Sequence, residues 1–183
     1  IADLQIGNAK FGDFAGSTIV HSVGGWGAIT MGKNVVLTAN ELCGYHVKAN
    51  PKYGSEKKGQ PTTFYGILSP EPVRLNGELK NVDIVLSPDP NVFHHTNAVA
   101  GLKEGGVFII QSDRGSPEQV WADIPEHYQQ IIVDRQIRPF YLDAFNIARE
   151  EATDPELQLR MQRAGSHAQQ LENSHRNDRC RNR

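Results

Sequence analysis

The chain has 183 residues, 38% of them hydrophobic and 22% charged, with 17 glycines and 10 prolines; this balance excludes a fibrous or wholly disordered protein and allows one sizeable core with an appendage. Nineteen basic against 21 acidic side chains leave a net charge of −2, so the chain as a whole has no electrostatic case for nucleic acid or for an acidic membrane surface. Cys43 and Cys180 stand far apart, neither in a C-x-x-C pair, which excludes a disulfide framework, a cysteine-rich zinc site and a cysteine-held iron–sulfur cluster within this chain.

The first periodic segment is Ser17 to Val23, a short β-branched run stopped by Gly24-Gly25-Trp26-Gly27, which reads as a buried strand entering a glycine turn. From Ala28 the apolar positions Met31, Val35, Val36, Ala39, Leu42 and Cys43 recur at helical spacing until Gly44 closes the run, so strand, turn and helix open a βαβ unit. A strand over His46 to Ala49 ends at Asn50-Pro51, followed by the polar, glycine-rich stretch Lys52 to Pro61, too long for a plain turn. Strands are expected over Thr62 to Ser69 and Val82 to Ser87 with a turn region around Val73 to Leu79, then a short helix over Asn91 to Gly101 and a strand over Val107 to Gln111. Ser116-Pro117-Glu118 starts a helix with Ser at the N-cap and Pro at N1. Gln130 to Asp134 reads as a last strand, Tyr141 to Ala152 as a helix, and Asp154-Pro155-Glu156 as the start of another helix through Met161.

Strands alternating with helices at this spacing predict an α/β fold: a doubly wound, mostly parallel sheet with helices on both faces, a Rossmann-like three-layer arrangement. It is expected to occupy residues 1–162 as one domain. Residues 163–183 lose apolar periodicity and read as a basic, disordered tail; from Arg160 onward six arginines face Glu172 and Asp178, net +4, leaving −6 for the rest. No apolar run approaches the roughly 18 residues needed to cross a bilayer. Few cysteines and no signal-peptide pattern make the cytoplasm the expected compartment.

The Gly24-Gly25-Trp26-Gly27 turn lies where doubly wound sheets bind ligands, between a strand's carboxyl end and a helix's amino end, where converging N–H groups and the helix dipole suit a phosphate or carboxylate. Its bland reading is a tight turn that lets the helix start. A dinucleotide fingerprint is disfavoured, because Ser22 and Thr30 fill two of the glycine places and the second strand ends without an acid. Tyr53-Gly54-Ser55-Glu56-Lys57-Lys58-Gly59 sets one carboxylate beside two ammonium groups on a glycine-hinged segment, able to pair across a subunit boundary or hold an anion, or simply to be solvated loop. His94-His95 project in different directions and make a poor chelating pair. Ser112-Asp113-Arg114-Gly115 either approaches a ligand at the same sheet edge or is a plain connection, and there is no G-x-S-x-G elbow. No self-contained catalytic, metal or nucleophile site emerges.

The stretch Asn50-Pro51-Lys52-Tyr53-Gly54-Ser55-Glu56-Lys57-Lys58-Gly59, with the glycine turn one helix upstream, resembles the gamma subunit, or gamma domain, of the 2-oxoacid:ferredoxin oxidoreductases. The family's pattern there is a proline, an aromatic residue, glycine, a small residue, glutamate, two basic residues and glycine. Val82 to Asp89, Gly101 to Gly106 and the Asp143 to Ala148 helix extend the resemblance, which covers about Ile19 to Met161.

The resemblance implies a hetero-oligomeric enzyme that decarboxylates a 2-oxoacid on thiamine diphosphate and passes electrons through [4Fe-4S] clusters to ferredoxin. It places no cofactor on this chain: thiamine diphosphate and Mg2+ belong to partner subunits of alpha/beta type, and the clusters to partners or a ferredoxin-like, delta-type subunit. The gamma chain packs over the catalytic subunits and helps receive coenzyme A, so Gly24, Gly25, Trp26, Gly27 and Tyr53 to Gly59 are the matching interface and ligand positions. Two departures stand out. Ser22 and Trp26 replace a glycine and the glutamine of the family's G-x-G-G-Q-G turn, and a bulky indole in place of an amide fits an oxalate-oxidising member that uses no coenzyme A. After Met161, moreover, the family continues with an apolar, glycine-containing helix, a pattern that Arg163 to Arg183 does not carry. The competing readings are a free-standing α/β module that binds a nucleotide or phosphate at the Gly24 turn, and a pure assembly scaffold with Trp26 and Tyr53 as buried anchors.

Overall fold

The computed structural model describes residues 2–3, 16–23, 27–52, 61–74 and 78–151. Its strands are β1 (Ala2–Asp3), β2 (Gly16–Val23), β3 (His46–Lys52), β4 (Pro61–Ser69), β5 (Val82–Ser87), β6 (Leu102–Gln111) and β7 (Arg138–Leu142). Its helices are α1 (Ala28–Cys43), α2 (Pro117–Asp123), α3 (Glu126–Asp134) and α4 (Ala144–Glu151), with a single 3-10 turn at Val92–His94. The expected helix from Asp154 to Met161 and the tail of residues 163–183 lie outside the described residues, as do residues 75–77 of the turn region before β5.

The strands form one sheet in the order β1-β7-β6-β5-β2-β4-β3. The pairings of β1 with β7, β7 with β6, β6 with β5 and β5 with β2 are parallel, as the α/β reading requires. β4 departs from it, running antiparallel to both β2 and β3, between which it is inserted. The cause is chain length: residues 53–60 join β3 to β4, and a parallel return needs a crossover of about a dozen residues or more. Because β2 and β3 each oppose β4, they run the same way, and α1 is still the crossover of a βαβ unit with one strand interposed.

Both faces of the sheet are covered. Alternate residues of a strand point to opposite faces; Phe64 joins Ala28 and Val36 of α1, whereas its neighbour Tyr65 packs against the larger core. That core contains Val82 and Val85 of β5, Val92 and Phe93, Phe108 and Ile110 of β6, Val120 of α2 and Ile132 of α3. Within it the Phe93 ring lies 5.3 Å from that of Phe108 and 4.6 Å from that of Tyr128.

α1 has the bounds read from the sequence, including the Gly44 cap, which adopts φ 70° and donates to the carbonyl of Asn40. Its buried stripe differs, though: Ala28, Gly32, Val36 and Ala39 face the sheet, while Leu42 is 80% exposed. Gly32 is the point of closest approach, since a Cβ there would lie 2.2 Å from the Phe64 ring.

Four expectations are corrected. Gln130 to Asp134 is helix, the second half of α3: Tyr128, Ile131 and Ile132 meet the core at helical spacing, and Val133 is 61% exposed. The last strand is instead β7, disguised by Pro139, a residue that normally argues against a strand. Asn91 to Gly101 forms only the Val92–His94 turn followed by further turns, because the Asp89 carboxylate accepts from the Asn91 N–H at 2.8 Å and tightens the chain there. Tyr141 and Leu142 belong to β7, and α4 starts at Ala144, where Asp143 Oδ1 accepts from the Asn146 N–H at 3.0 Å. Finally, the strand expected from Val107 begins earlier, at Leu102, with a bulged start. Leu102 already pairs with Val82, and the register slips before Ile84 meets Val107, with Gly105 at φ 69°.

The chain falls into two compact units, residues 1–142 and 143–183; the sheet and α1 to α3 lie in the first and α4 in the second.

Candidate ligand and interface rim

The carboxyl end of β2 leads directly into the glycine turn, and the described residues that bracket the two sequence-predicted segments meet at this end of the sheet. Val23, the last residue of β2, is paired in register with Pro61, the first residue of β4. Two residues further along β4, Thr63 is paired with Lys52, the last residue of β3. The turn from 24 to 27 and the stretch from 53 to 60 therefore spring from adjacent strand ends. Gly24, Gly25 and Trp26, and Tyr53, Gly54, Ser55, Glu56, Lys57, Lys58 and Gly59, themselves lie outside the described residues.

Gly27 is described. It is the N-cap of α1 at φ 78° and ψ 17°, a left-handed conformation that a side chain rarely adopts, although a Cβ there would meet nothing within 4 Å. The glycine is thus required by backbone conformation, not by crowding. Its carbonyl accepts from the Met31 N–H at 2.8 Å, no side chain caps the helix, and the first turn holds no acid, so the positive end of the α1 dipole is left without a compensating carboxylate of its own helix.

Along the same rim the ends of β5 and β6 are polar and closed. Ser87, Asp89, Gln111 and Ser112 are all buried. The Ser87 hydroxyl donates to the Asp89 carbonyl at 2.9 Å. Ser112 donates its N–H to the Leu142 carbonyl at 3.2 Å, and its hydroxyl accepts from the Arg114 N–H at 3.3 Å. The Arg114 guanidinium is held by Asp123, Nε to Oδ2 at 2.7 Å, so Ser112-Asp113-Arg114-Gly115 acts as the connection into α2. His94 and His95 are exposed, and among the described residues no group of three or more His, Cys, Asp or Glu is placed to hold a metal ion. Nor is any described helix long and apolar enough to cross a membrane.

One feature at the root of the 53–60 stretch has no counterpart in the sequence reading. Lys52 Nζ lies 2.7 Å from Glu78 Oε1. The hydrogen bond to Glu78, with its charge, holds the Lys52 ammonium above the ordinary lysine range. Close by, Tyr65 has its phenol pushed up by burial and then by the Glu78 carboxylate, with Lys52 opposing. Nothing local links Lys52 to Glu78: the one ends β3 and the other precedes β5, strands that β2 and β4 separate in the sheet.

With this geometry in view, the comparisons with known proteins are consistent. Residues 17–170 match the family described as pyruvate ferredoxin/flavodoxin oxidoreductase. The common gamma subunit of the pyruvate/ketoisovalerate oxidoreductases of Thermococcus litoralis is 34% identical over 98 residues, covering 54% of this chain and 52% of its own length. Pyruvate synthase subunit PorC of Methanosarcina barkeri is 26% identical over 101 residues, covering 55% of this chain and 54% of its own. The chain spans about half the length of the curated relatives it matches. Among solved structures, the pyruvate oxidoreductase subunit PORC of Thermotoga maritima superposes with a TM-score of 0.54 at 22% identity, covering 75% of this chain and 66% of that one. The gamma subunit of the keto/oxoacid ferredoxin oxidoreductase of Geobacter sulfurreducens gives 0.53 at 20% identity, covering 74% and 65%. At these identities the superpositions establish the shared fold.

Proposed function

The chain belongs to the pyruvate ferredoxin/flavodoxin oxidoreductase family, and we propose that it is the gamma-type, accessory chain of a 2-oxoacid:ferredoxin oxidoreductase, packing over the catalytic subunits and shaping access to their reaction centre. Its domain is residues 1–162, followed by the tail of residues 163–183. It contributes no acid, base or nucleophile. Thiamine diphosphate with Mg2+ resides on alpha/beta-type partners and the [4Fe-4S] clusters on a ferredoxin-like, delta-type partner, with ferredoxin as acceptor, in the cytoplasm of an organism with anaerobic metabolism. The observation that carries the reading is the pairing of Val23 with Pro61, which roots the glycine turn and the 53–60 stretch side by side, as a single surface facing a partner requires.

At that surface Glu56 and Lys57 are the contacts nearest the partner's chemistry, and the uncompensated start of α1 favours a phosphate, as in coenzyme A. Trp26 supports a second reading, a coenzyme A-independent enzyme that oxidises oxalate to carbon dioxide, because an indole carries one donor where glutamine has two donors and an acceptor.

The test is purification of the tagged full chain from its source without oxygen. Subunits bearing thiamine diphosphate and iron–sulfur absorbance should be recovered with it, and the purified chain alone should oxidise no 2-oxoacid; an active lone monomer overturns the reading. Calorimetry of the complex with coenzyme A then separates the two versions: binding supports the first, whereas oxalate oxidation without any binding supports the second.

A further inference from the structure

We propose that the face of β3 and β4 turned away from α1 is a docking surface for an acidic, extended segment of a partner protein, read by the ammonium groups of Lys48 and Lys52.

The register fixes which side chains share this face. Val47 and Leu68 stand opposite one another and pack with Phe64 against α1. The positions that alternate with them therefore turn the other way. These are the opposed pairs Lys48 with Ile67, Asn50 with Tyr65 and Lys52 with Thr63. Among the described residues the larger core reaches this face at Tyr65, and no residue of β3 belongs to it. β3 is the last strand of the sheet, so an extended segment laid along its free edge keeps every second side chain on the same face.

The charge of the face is one-sided. Neither β3 nor β4 contains an acidic residue, in a chain that carries −6 before Arg160. Lys48 is half-buried and makes no ion pair among the described residues. Lys52 is held by Glu78 at 2.7 Å, with both side chains more than half exposed. A carboxylate from outside the two strands thus already docks on this face, and an exposed pair of this kind is weak enough for a partner's acid to displace it. Four residues apart, Lys48 and Lys52 are separated by about 13 Å along the strand, which carboxylates four residues apart on an extended segment match. A protein suits the face better than a nucleic acid, because the net charge of −2 repels a polyanion, and Ile67 and Tyr65 beside the lysines offer apolar surface that phosphates do not use.

Two experiments test the surface, and only the first rests on the gamma-chain reading. In the complex purified with the tagged full chain, a carbodiimide joins ammonium groups to carboxylates in contact with them. Mass spectrometry should find Lys48 linked to an Asp or Glu of another chain, and Lys52 linked both to Glu78 and to such an acid. Glu78→Gln should raise the interchain yield at Lys52 about two- to fivefold, the range that corresponds to an exposed ion pair. Lysines that link only within the chain, or not at all, in an intact complex overturn the proposal. If the chain is recovered without partners, the gamma-chain reading falls and the second experiment decides alone. In it, an octapeptide alternating glutamate and valine is titrated into the full chain at low salt and followed by amide NMR. Saturable shifts are expected in β3 and β4 and not in α2 or α3, and added salt should weaken the binding. Lys48→Gln should weaken it about two- to fivefold at an unchanged unfolding midpoint, and Glu78→Gln should strengthen it by a similar factor. Absence of saturable shifts, or equal binding of the peptide with lysine in place of glutamate or of poly(U) RNA, overturns the proposal. So does self-association of Lys48→Gln, which would make the lysine a guard of the free edge.

Discussion

The two halves of the sheet are built differently. On the β5-β6-β7 side, a deep core joins three strands to the Val92–His94 turn, α2 and α3, and Val82, Val85, Val92, Leu102 and Phe108 are wholly buried. On the β2-β4-β3 side, among the described side chains, α1 covers a cluster of Ala28, Val36 and Phe64 against which Ile29, Met31, Val47, Leu68 and Leu86 pack, and Gly32 lies against the Phe64 ring. The candidate segments spring from this second half, where Lys52 and Glu78 form an exposed ion pair. The fully buried side chains among the described residues are concentrated on the first side, whereas the roots of the candidate segments lie on the second.

The sharpest way to break this comparison is to remove the centre of the larger core. Phe108→Ala should cost about 3–5 kcal/mol, read as a fall in the denaturant midpoint, since it leaves a cavity beside Phe93. A loss below about 1 kcal/mol would mean that this half is not the keel described here. Next comes the β2-β4-β3 half. Gly32→Ala forces a methyl into the Phe64 ring and should cost about 1–3 kcal/mol, the usual range for overpacking; pairing it with Phe64→Leu should recover part of the loss. Loss of stability in Gly32→Ala with no recovery in the pair would move the fault to the helix itself.

The smallest effect is a pH dependence in the α2 region. The N–H of its own residue and the Ser116 hydroxyl hold the Glu118 carboxyl below its ordinary value. A folded-state value below the unfolded one means that the contribution is fully present above the ordinary glutamate range and is lost as pH falls through the depressed value. Glu118→Gln should therefore flatten the acid limb of stability slightly and leave neutral stability nearly unchanged; an equal loss at neutral and acid pH would show that the carboxylate's charge is not what matters.

Much of the fold was legible because its signals are local. Gly44 ends α1 by the φ 70° that glycine tolerates, and the Ser116 hydroxyl accepts from the Gln119 N–H at 3.4 Å at the N-cap, with Pro117 next. The misreadings came where a local signal had two meanings. Ile131-Ile132-Val133 suits a strand or a helix, and only the placement of Tyr128 and Ile132 in the core decides; Pro139 hid a strand that pairs with β6 all the same. Of the candidate site, the residue types at 24–27 and 53–59 were readable from the sequence, and the structure supplied the left-handed Gly27 and the adjacency of the segment roots.

By itself, then, the sequence determined the α/β alternation, the start and end of α1, the capped start of α2 and the two motifs that single out the family, because each depends on residues a few positions apart. Only the tertiary structure decided that β4 is inserted antiparallel between β2 and β3, that Gly32 rather than Met31 faces the sheet at its tightest point, and that Lys52 meets Glu78. These are contacts between distant parts of the chain, and what selects them is the packing of whole layers against one another, a quantity that no short window of sequence contains.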